Sequence, residues 1–211
     1  MSMDFVKALK APASVDGWFV KLLIGGVFLI IPILNFVIMG YVVKYLEKLM
    51  NKEDGLPGSP ASDFGDKFVL GFKYLIGCIV LGVIYVIGLT IFALLFSKLK
   101  LVYAVLMVLL QITLGLLTLL MAANFAVDKK ILSFIDFSRA ALLVKDNPNT
   151  FSFIFQVLVL SLIYLVLMVL LAIFVIPLPF LFYAFTLSLY NLLGQYIQDA
   201  PHLTEVRAQV K

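Results

Sequence analysis

Long apolar stretches separated by short charged segments dominate this chain. No charged residue occurs from position 147 to 198, and residues 74–97 and 101–127 are also uncharged. About 20 apolar residues in a helix span the hydrocarbon core of a bilayer, so each stretch is long enough to cross a membrane. Proline within residues 176–179 divides the longest stretch in two. The pattern therefore predicts four long transmembrane helices, at 68–97, 101–127, 151–176 and 179–199.

A shorter apolar stretch near the N-terminus is broken by Pro32. Residues 22–43 carry no charge, and either a single kinked crossing or a helical hairpin over 17–50 fits them. Lys and Arg concentrate in cytoplasmic loops, and only the hairpin places nearly all of them on one side of the membrane. We therefore favour the hairpin, with both termini cytoplasmic. Its helices are marginal for a full crossing, so it is expected to be partly re-entrant.

Amphipathic and polar segments connect the apolar ones. Residues 1–16 and 129–146 mix apolar with charged side chains, which is typical of helices at the membrane surface. Residues 51–66 contain several Gly and Pro and are predicted to form a cytoplasmic loop, and residues 200–211 a polar tail. The chain is thus predicted to be one all-α, polytopic transmembrane helical bundle over 1–211. It would contain five to six membrane segments.

Composition narrows the functional classes. The chain is 64% hydrophobic and 13% charged, whereas about 25% of residues are charged in soluble domains. The formal net charge is +4, but the basic residues lie between apolar segments rather than on a solvated basic face. Nucleic-acid binding is therefore not expected. Cys78 is the single cysteine, so it cannot form an intramolecular disulfide or build a metal site.

The apolar stretches lack ionisable residues at their centres. Proton-coupled carriers usually need a carboxylate or histidine within the membrane, and nucleophilic catalysis needs a base beside the nucleophile. The sequence offers neither, so we predict no enzyme activity, no catalytic residue, no cofactor and no metal ligand. The expected location is the cell (inner) membrane.

Uncharged polar residues within the apolar stretches remain as candidates for a site. Asn191 and Gln195 are four residues apart and share a helix face with Ser188, and Asn35 follows the break at Pro32. These residues either line a polar groove or form ordinary hydrogen bonds between helices. The candidate polar groove comprises Asn35, Ser188, Asn191 and Gln195, and the candidate structural hinges are Pro32, Pro177 and Pro179.

Several short motifs along the chain resemble those of a known family. They are Ile30-Ile31-Pro32-Ile33-Leu34-Asn35-Phe36, Gly40-Tyr41, Gly55-Leu56-Pro57, Asp63-Phe64-Gly65-Asp66, Asn147-Pro148 and Leu192-Leu193-Gly194-Gln195-Tyr196. This set covers most of residues 17–200 and resembles the prokaryotic membrane family catalogued as domain of unknown function 4013. The resemblance implies an archaeal or bacterial membrane protein. It implies no activity and no site residue.

Two functional hypotheses follow from these observations. Pairs of small residues four apart, such as Ala122 with Ala126 and Ala184 with Ser188, favour close helix packing. Together with the lack of intramembrane charge, they favour a non-enzymatic membrane scaffold or accessory subunit of a membrane complex. The alternative is a small transporter or lipid-handling protein that uses the polar groups near Pro32 and Asn191. Expected partners are membrane lipids, other membrane-protein subunits or a second copy.

Overall fold

Helices make up the regular structure of this protein. The computed structural model describes residues 3–96, 100–174 and 176–208. In those ranges the α-helices are α1 Phe5–Lys10, α2 Trp18–Ile30, α3 Pro32–Met50, α4 Phe64–Phe96, α5 Lys100–Asp128, α6 Phe137–Val144, α7 Thr150–Leu171, α8 Leu178–Gln198 and α9 Leu203–Ala208. Short 3-10 helices occur at Ala11–Ala13 and Ile131–Ile135. The all-α prediction is confirmed.

Three helices in the described ranges are long and apolar enough to cross a membrane. They comprise Phe64–Leu94, Tyr103–Asp128 and Thr150–Leu171. A fourth span results only if Phe5–Ala13 and Trp18–Ile30, which meet at 81°, count as one broken segment. The predicted span 179–199 is helical in α8, but its Tyr, Asn and Gln residues make it less apolar than the three. The structure thus supports several membrane helices without confirming five to six.

Pro32 separates α2 from α3. Ile31 has extended backbone, and Pro32 takes the first position of α3, where its missing N–H group removes no helical hydrogen bond. The 13 residues of α2 extend about 20 Å at 1.5 Å per residue, which is less than the thickness of the hydrocarbon core. Phe36 of α3 makes edge-to-face contacts with Phe68 and Phe72, so the α2–α3 unit packs against the first turns of α4.

Helix α3 lies at the centre of the packed region and contacts α2, α4, α5 and α8. Gly40 of α3 and Gly71 of α4 allow the closest approach. A Cβ atom at Gly40 would collide with the Lys67 carbonyl, and one at Gly71 with the Phe36 carbonyl. The two helices therefore touch backbone to backbone, as small residues permit in membrane bundles.

The molecule has two unlike regions, which we call the base and the arm. The base holds the buried core, with Tyr41, Tyr45, Phe125, Tyr183 and Tyr196 among its largest enclosed side chains. The arm comprises residues 82–94 of α4 and 103–118 of α5, and none of its residues is buried. Burial in the two helices ends at Leu81 and resumes at Leu119. The α4–α5 hairpin therefore projects from the base with its apolar side chains uncovered.

Two predicted segments differ from the structure. The sequence predicts one interfacial helix over residues 129–146. The structure instead has a 3-10 helix that ends at Ile135, followed by α6 from Phe137. The two are separate because the Asp136 carboxylate accepts the Arg139 N–H and caps a new helix. Within the predicted interfacial segment 1–16, the described residues form α1 and a 3-10 helix that contains Pro12. The predicted polar tail 200–211 contains α9, whose Leu203 and Val206 are buried. The turn at 97–99 and the tail beyond 208 lie outside the described residues.

Candidate functional site

A chain of hydrogen bonds links α3, α8 and the N-terminal segment inside the base. The Asn191 side-chain amide donates to the Tyr45 hydroxyl at 2.7 Å, and the Gln195 amide donates to the Asn191 carbonyl oxygen at 2.7 Å. Gln195 also pairs with the backbone of Asp4, accepting its N–H at 2.7 Å and donating to its carbonyl at 3.1 Å. The polar groups of Asn191 and Gln195 are therefore occupied within the chain.

Ser188 lies on α8 with Asn191 but has a different partner. It is fully buried, and its hydroxyl lies 3.2 Å from the hydroxyl of Tyr164 on α7. The two hydroxyls join α7 to α8 within the base. Ser188 and Asn191 thus stabilise helix packing in this structure. Gln195 also lines a cleft of about 540 Å³ between α1 and the end of α8.

Asn35 lies apart from the other three groove residues. It lines an apolar cleft of about 580 Å³ between the start of α3 and the turn joining α7 to α8. Met168, Val169, Pro179 and Phe182 line the same cleft, and Asn35 is half-buried there. The predicted groove of four residues is therefore not a single site, because α8 carries Asn191 and Gln195 away from the end at which Asn35 lies.

The candidate hinge prolines lie at helix starts. Pro32 begins α3, Pro177 precedes the first residue of α8, and Pro179 lies in the first turn of α8. Neither helix start has a side chain capping its free N–H groups. Since Asn35 and Pro179 line one cleft, both helix starts lie beside it, and the positive ends of the two helix dipoles accompany them.

Lys67 fixes the loop between α3 and α4 and was missed by the sequence analysis. Its side chain is almost fully enclosed, and its ammonium group donates to the Ser59 carbonyl, the Ser62 carbonyl and the Ser62 hydroxyl at 2.6–3.0 Å. The ammonium group also lies 5.4 Å from the centre of the Tyr41 ring, whose hydroxyl donates to the Pro57 carbonyl. These contacts fasten the loop over the base.

A second polar cluster joins the end of α5 to α6. Arg139 donates to the Asp128 carboxylate at 2.8 Å, and both side chains are largely enclosed. The Asn124 amide donates to the Asp136 carbonyl at 3.0 Å. The backbone N–H of Arg139 donates to the Asp136 carboxylate and holds the pKa of that carboxyl below its usual range. The cluster is an internal ion-pair network in which the Asn124 amide oxygen is buried without a hydrogen-bond partner among the described residues.

His202 connects the start of α9 to the segment before α7. Its ring nitrogens lie 3.0 Å from a Glu205 carboxylate oxygen and 3.4 Å from one of Asp146. Hydrogen bonds to Glu205 and Asp146 raise the pKa of His202 above its usual value. Although the three residues meet at the surface, no group of three or more His, Cys, Asp or Glu suited to a metal ion occurs in the described ranges.

The fold and these sites define an all-helical protein with several strongly apolar helices, consistent with a membrane protein. Most buried polar groups of its base bond to one another, although Asn124 and Gln156 each keep an amide oxygen without a partner among the described residues. Residues 24–176 match the family described as Protein of unknown function (DUF4013), and the chain belongs to that family. The resemblance found in the sequence motifs is thereby confirmed. No curated protein and no solved structure matches the chain.

Proposed function

We propose that this protein is a non-enzymatic scaffold or accessory subunit in the inner membrane of a prokaryotic cell, acting through the surfaces of its apolar helices. One observation carries the proposal. In the most apolar windows of α4, α5 and α7, only 11%, 6% and 17% of the residues are buried inside the chain. Such surfaces must contact lipid tails or other membrane helices, since water would not solvate them.

The interior supports the same proposal. Asn191, Gln195 and Ser188 bond to other groups of the chain, and so do Lys67 and Arg139. A substrate site would need convergent polar groups left free for the substrate. These five side chains instead stabilise the base, which suits a protein that acts through its outer surface.

We propose that the base faces the cytoplasm, with both termini on that side. The charged loop, α1, α6 and α9 all belong to the base, and most Lys and Arg residues occur in these segments or close to them. Single cysteines at Lys52 and Lys98 in a Cys78→Ser background test this orientation. An impermeant thiol reagent added to intact cells should label Lys98→Cys and spare Lys52→Cys, and the reverse pattern would contradict the proposal.

Native purification tests the scaffold function. A C-terminal tag allows the protein to be extracted from its own membranes into lipid nanodiscs. Native mass spectrometry then measures the mass of the complexes that contain it. The proposal predicts complexes heavier than one chain in which a membrane protein is present at fixed stoichiometry. A photo-crosslinking residue at Ile87 in the arm should yield protein adducts, whereas one at the exposed Lys52 of the charged loop serves as the control. A chain that is always monomeric, with no protein adduct from the arm, would refute the proposal.

The cleft at Asn35 favours a second candidate function, the handling of a lipid or small molecule. The Asn35 amide bonds to no other side chain in the described part of the chain and lies beside two uncapped helix starts, so it would suit a polar headgroup, and the apolar wall would suit the tail of a lipid. Under this alternative, a photoactivatable phospholipid should label the cleft, and Asn35→Leu should reduce that labelling several-fold. Thr186→Val is the matched control, because the Thr186 hydroxyl already bonds to the Phe182 carbonyl. Equal labelling of all three proteins would remove this alternative.

A further inference from the structure

A groove runs along one face of the arm, between α4 and α5. It has a volume of about 300 Å³ and is lined by residues from both helices, among them Gly82, Tyr85, Gln111, Leu114, Gly115 and Thr118. It begins at Cys78 and Leu81 beside the base, and all of its lining residues belong to α4 and α5. The proposed function needs a surface for packing, and this groove differs from the rest of the arm in two ways.

The first difference is Gln111. Its side chain is exposed on the groove and has no hydrogen-bond partner among the described residues. At 1.5 Å per residue it lies about 15 Å along α5 from residue 101 and about 21 Å from Phe125, which places it well inside the apolar span. Lipid tails offer no hydrogen bond, and an unpaired amide in hydrocarbon costs several kcal/mol. Another polar group must therefore reach Gln111.

The second difference is that a glycine of each helix, Gly82 of α4 and Gly115 of α5, leaves open space on the same groove, whereas Gly88 elsewhere in the arm is open on α4 alone. A Cβ atom built at Gly82 or Gly115 would meet nothing within 4 Å. In the base, by contrast, Gly71 and Gly77 each lie directly against the backbone or ring of a neighbour. Small residues in membrane helices let another helix approach closely, which lipid chains do not require. The room at Gly82 and Gly115 therefore suits a helix from outside the chain.

We propose that a second copy of this chain occupies the groove, with Gln111 of each copy bonded to Gln111 of the other across a two-fold axis. A glutamine side chain both donates and accepts, so two of them satisfy each other without any other residue type. A two-fold interface places the same surface of both copies in contact, as this pairing requires. The groove residues carry no charge that would select a partner of opposite charge.

Reconstitution of the purified chain tests the pairing. Donor- and acceptor-labelled copies, modified enzymatically at the C-terminus, are mixed in phosphatidylcholine vesicles over a range of protein-to-lipid ratios. Energy transfer should reveal a dimer. Gln111→Leu should weaken dimerisation about 5- to 30-fold, which corresponds to the roughly 1–2 kcal/mol of an interhelical hydrogen bond. Gln111→Asn, which keeps the amide, should retain part of the affinity, and Gly82→Leu should abolish dimerisation by filling the groove.

Two matched variants serve as controls. Thr113→Leu also removes a polar group from α5, but Thr113 points to the opposite side and its hydroxyl bonds to the Leu109 carbonyl at 2.9 Å. Val83→Leu also adds bulk to α4 beside Gly82, at an exposed position that does not line the groove. Both controls should dimerise like the natural protein. Since all four altered positions are unburied, folding should be unchanged, which circular dichroism checks.

The inference rests on the proposed scaffold function, and the experiment separates the two. A purified chain that stays monomeric at every protein-to-lipid ratio would overturn the pairing, as would dimers that Gln111→Leu leaves unchanged. If the same chain nevertheless occurs with another membrane protein in native nanodiscs, the scaffold function stands and only the second copy as partner is wrong. Labelling of the groove by a photoactivatable acyl chain in a monomeric protein would identify lipid as the occupant and also overturn the pairing.

Discussion

Lys67 is a buried charged side chain of the base whose donors are all hydrogen-bonded within the chain. The ammonium group lies inside the protein, and two backbone carbonyls and one hydroxyl accept its three hydrogens. Each of those acceptors belongs to the loop between α3 and α4, at Ser59 and Ser62. One side chain thereby holds a loop that is rich in Gly and Pro and has little regular structure of its own.

We expect Lys67→Met to destabilise the protein by about 1–3 kcal/mol, because it leaves enclosed acceptors without a donor. Thermal unfolding in detergent measures the change, and limited proteolysis should show cleavage near Ser59. Lys73→Met is the matched control, since Lys73 is exposed on the same helix. If both variants unfold at the same temperature as the natural protein, Lys67 does not fasten the loop.

At the residue scale, sequence reasoning found part of the site. The four-residue spacing of Asn191 and Gln195 correctly predicted that they share a helix face, and the structure joins their side chains at 2.7 Å. Their other partners, the Tyr45 hydroxyl and the Asp4 backbone, could not be predicted. Those contacts join residues far apart in the chain and depend on how α1, α3 and α8 pack.

At the scale of elements, α1 is held to the bundle by very few polar contacts. Its preceding residue, Asp4, pairs with Gln195, and Lys7 forms an exposed ion pair with Asp54 at 2.6 Å. Exposed ion pairs contribute little, so the Gln195 amide, the buried Ala8 and the packing of Phe5 against the core hold α1 in place. The segment is therefore expected to be the most easily detached helix of the base.

Gln195→Leu should release α1 while leaving the rest of the base folded, because it removes both hydrogen bonds to Asp4. Hydrogen exchange followed by mass spectrometry should show faster exchange over residues 5–10, by about an order of magnitude for roughly 1.4 kcal/mol. Gln156→Leu is the control, since the Gln156 amide bonds locally to Ser152 on α7. Unchanged protection of α1 in the Gln195 variant would contradict this assignment.

The attachment of α9 should depend on pH through His202. Its folded-state pKa is raised, with Glu205 as the main cause and Asp146 second, so the charged form is favoured in the folded protein. The stability that charged His202 contributes is complete below the unfolded pKa of about 6.5 and is lost as pH rises through the raised pKa. Amide hydrogen exchange over residues 203–208 should therefore become faster above the raised pKa, by more than the intrinsic increase of the exchange rate with pH. His202→Gln should remove the extra pH dependence, and its persistence in that variant would exclude His202.

Helices with strong apolar character were predictable, whereas the role of each one was not. The uncharged runs correctly predicted α4, α5 and α7 as apolar helices of spanning length. The sequence pattern predicts α8 as another transmembrane helix of the same kind. Its Tyr183, Asn191 and Tyr196 are instead buried against neighbouring helices, and a hydropathy pattern cannot separate burial in protein from burial in lipid.

At the scale of the whole molecule, the polar contacts between helices lie in the base, whereas exposed apolar side chains cover the arm and also α7. The base contains the ion pairs Lys129–Glu47 and Arg139–Asp128 and the described loops. The arm exposes large apolar side chains, with Leu94 78% and Val86 60% exposed. A soluble protein would not leave so much apolar surface uncovered, because its association would lower the free energy. A bilayer around the arm resolves the conflict.

The most direct test of this account measures what surrounds the arm. Spin labels at Val83 and Leu109, two exposed arm positions, are compared with a label at Lys52 in the loop, using the reconstituted protein with Cys78 replaced by Ser. The account predicts that the arm labels collide with oxygen, which concentrates in hydrocarbon, and are hidden from a water-soluble nickel chelate, whereas Lys52 shows the reverse. Arm labels that are relaxed by the nickel chelate as strongly as Lys52 would place the arm in water and contradict the account.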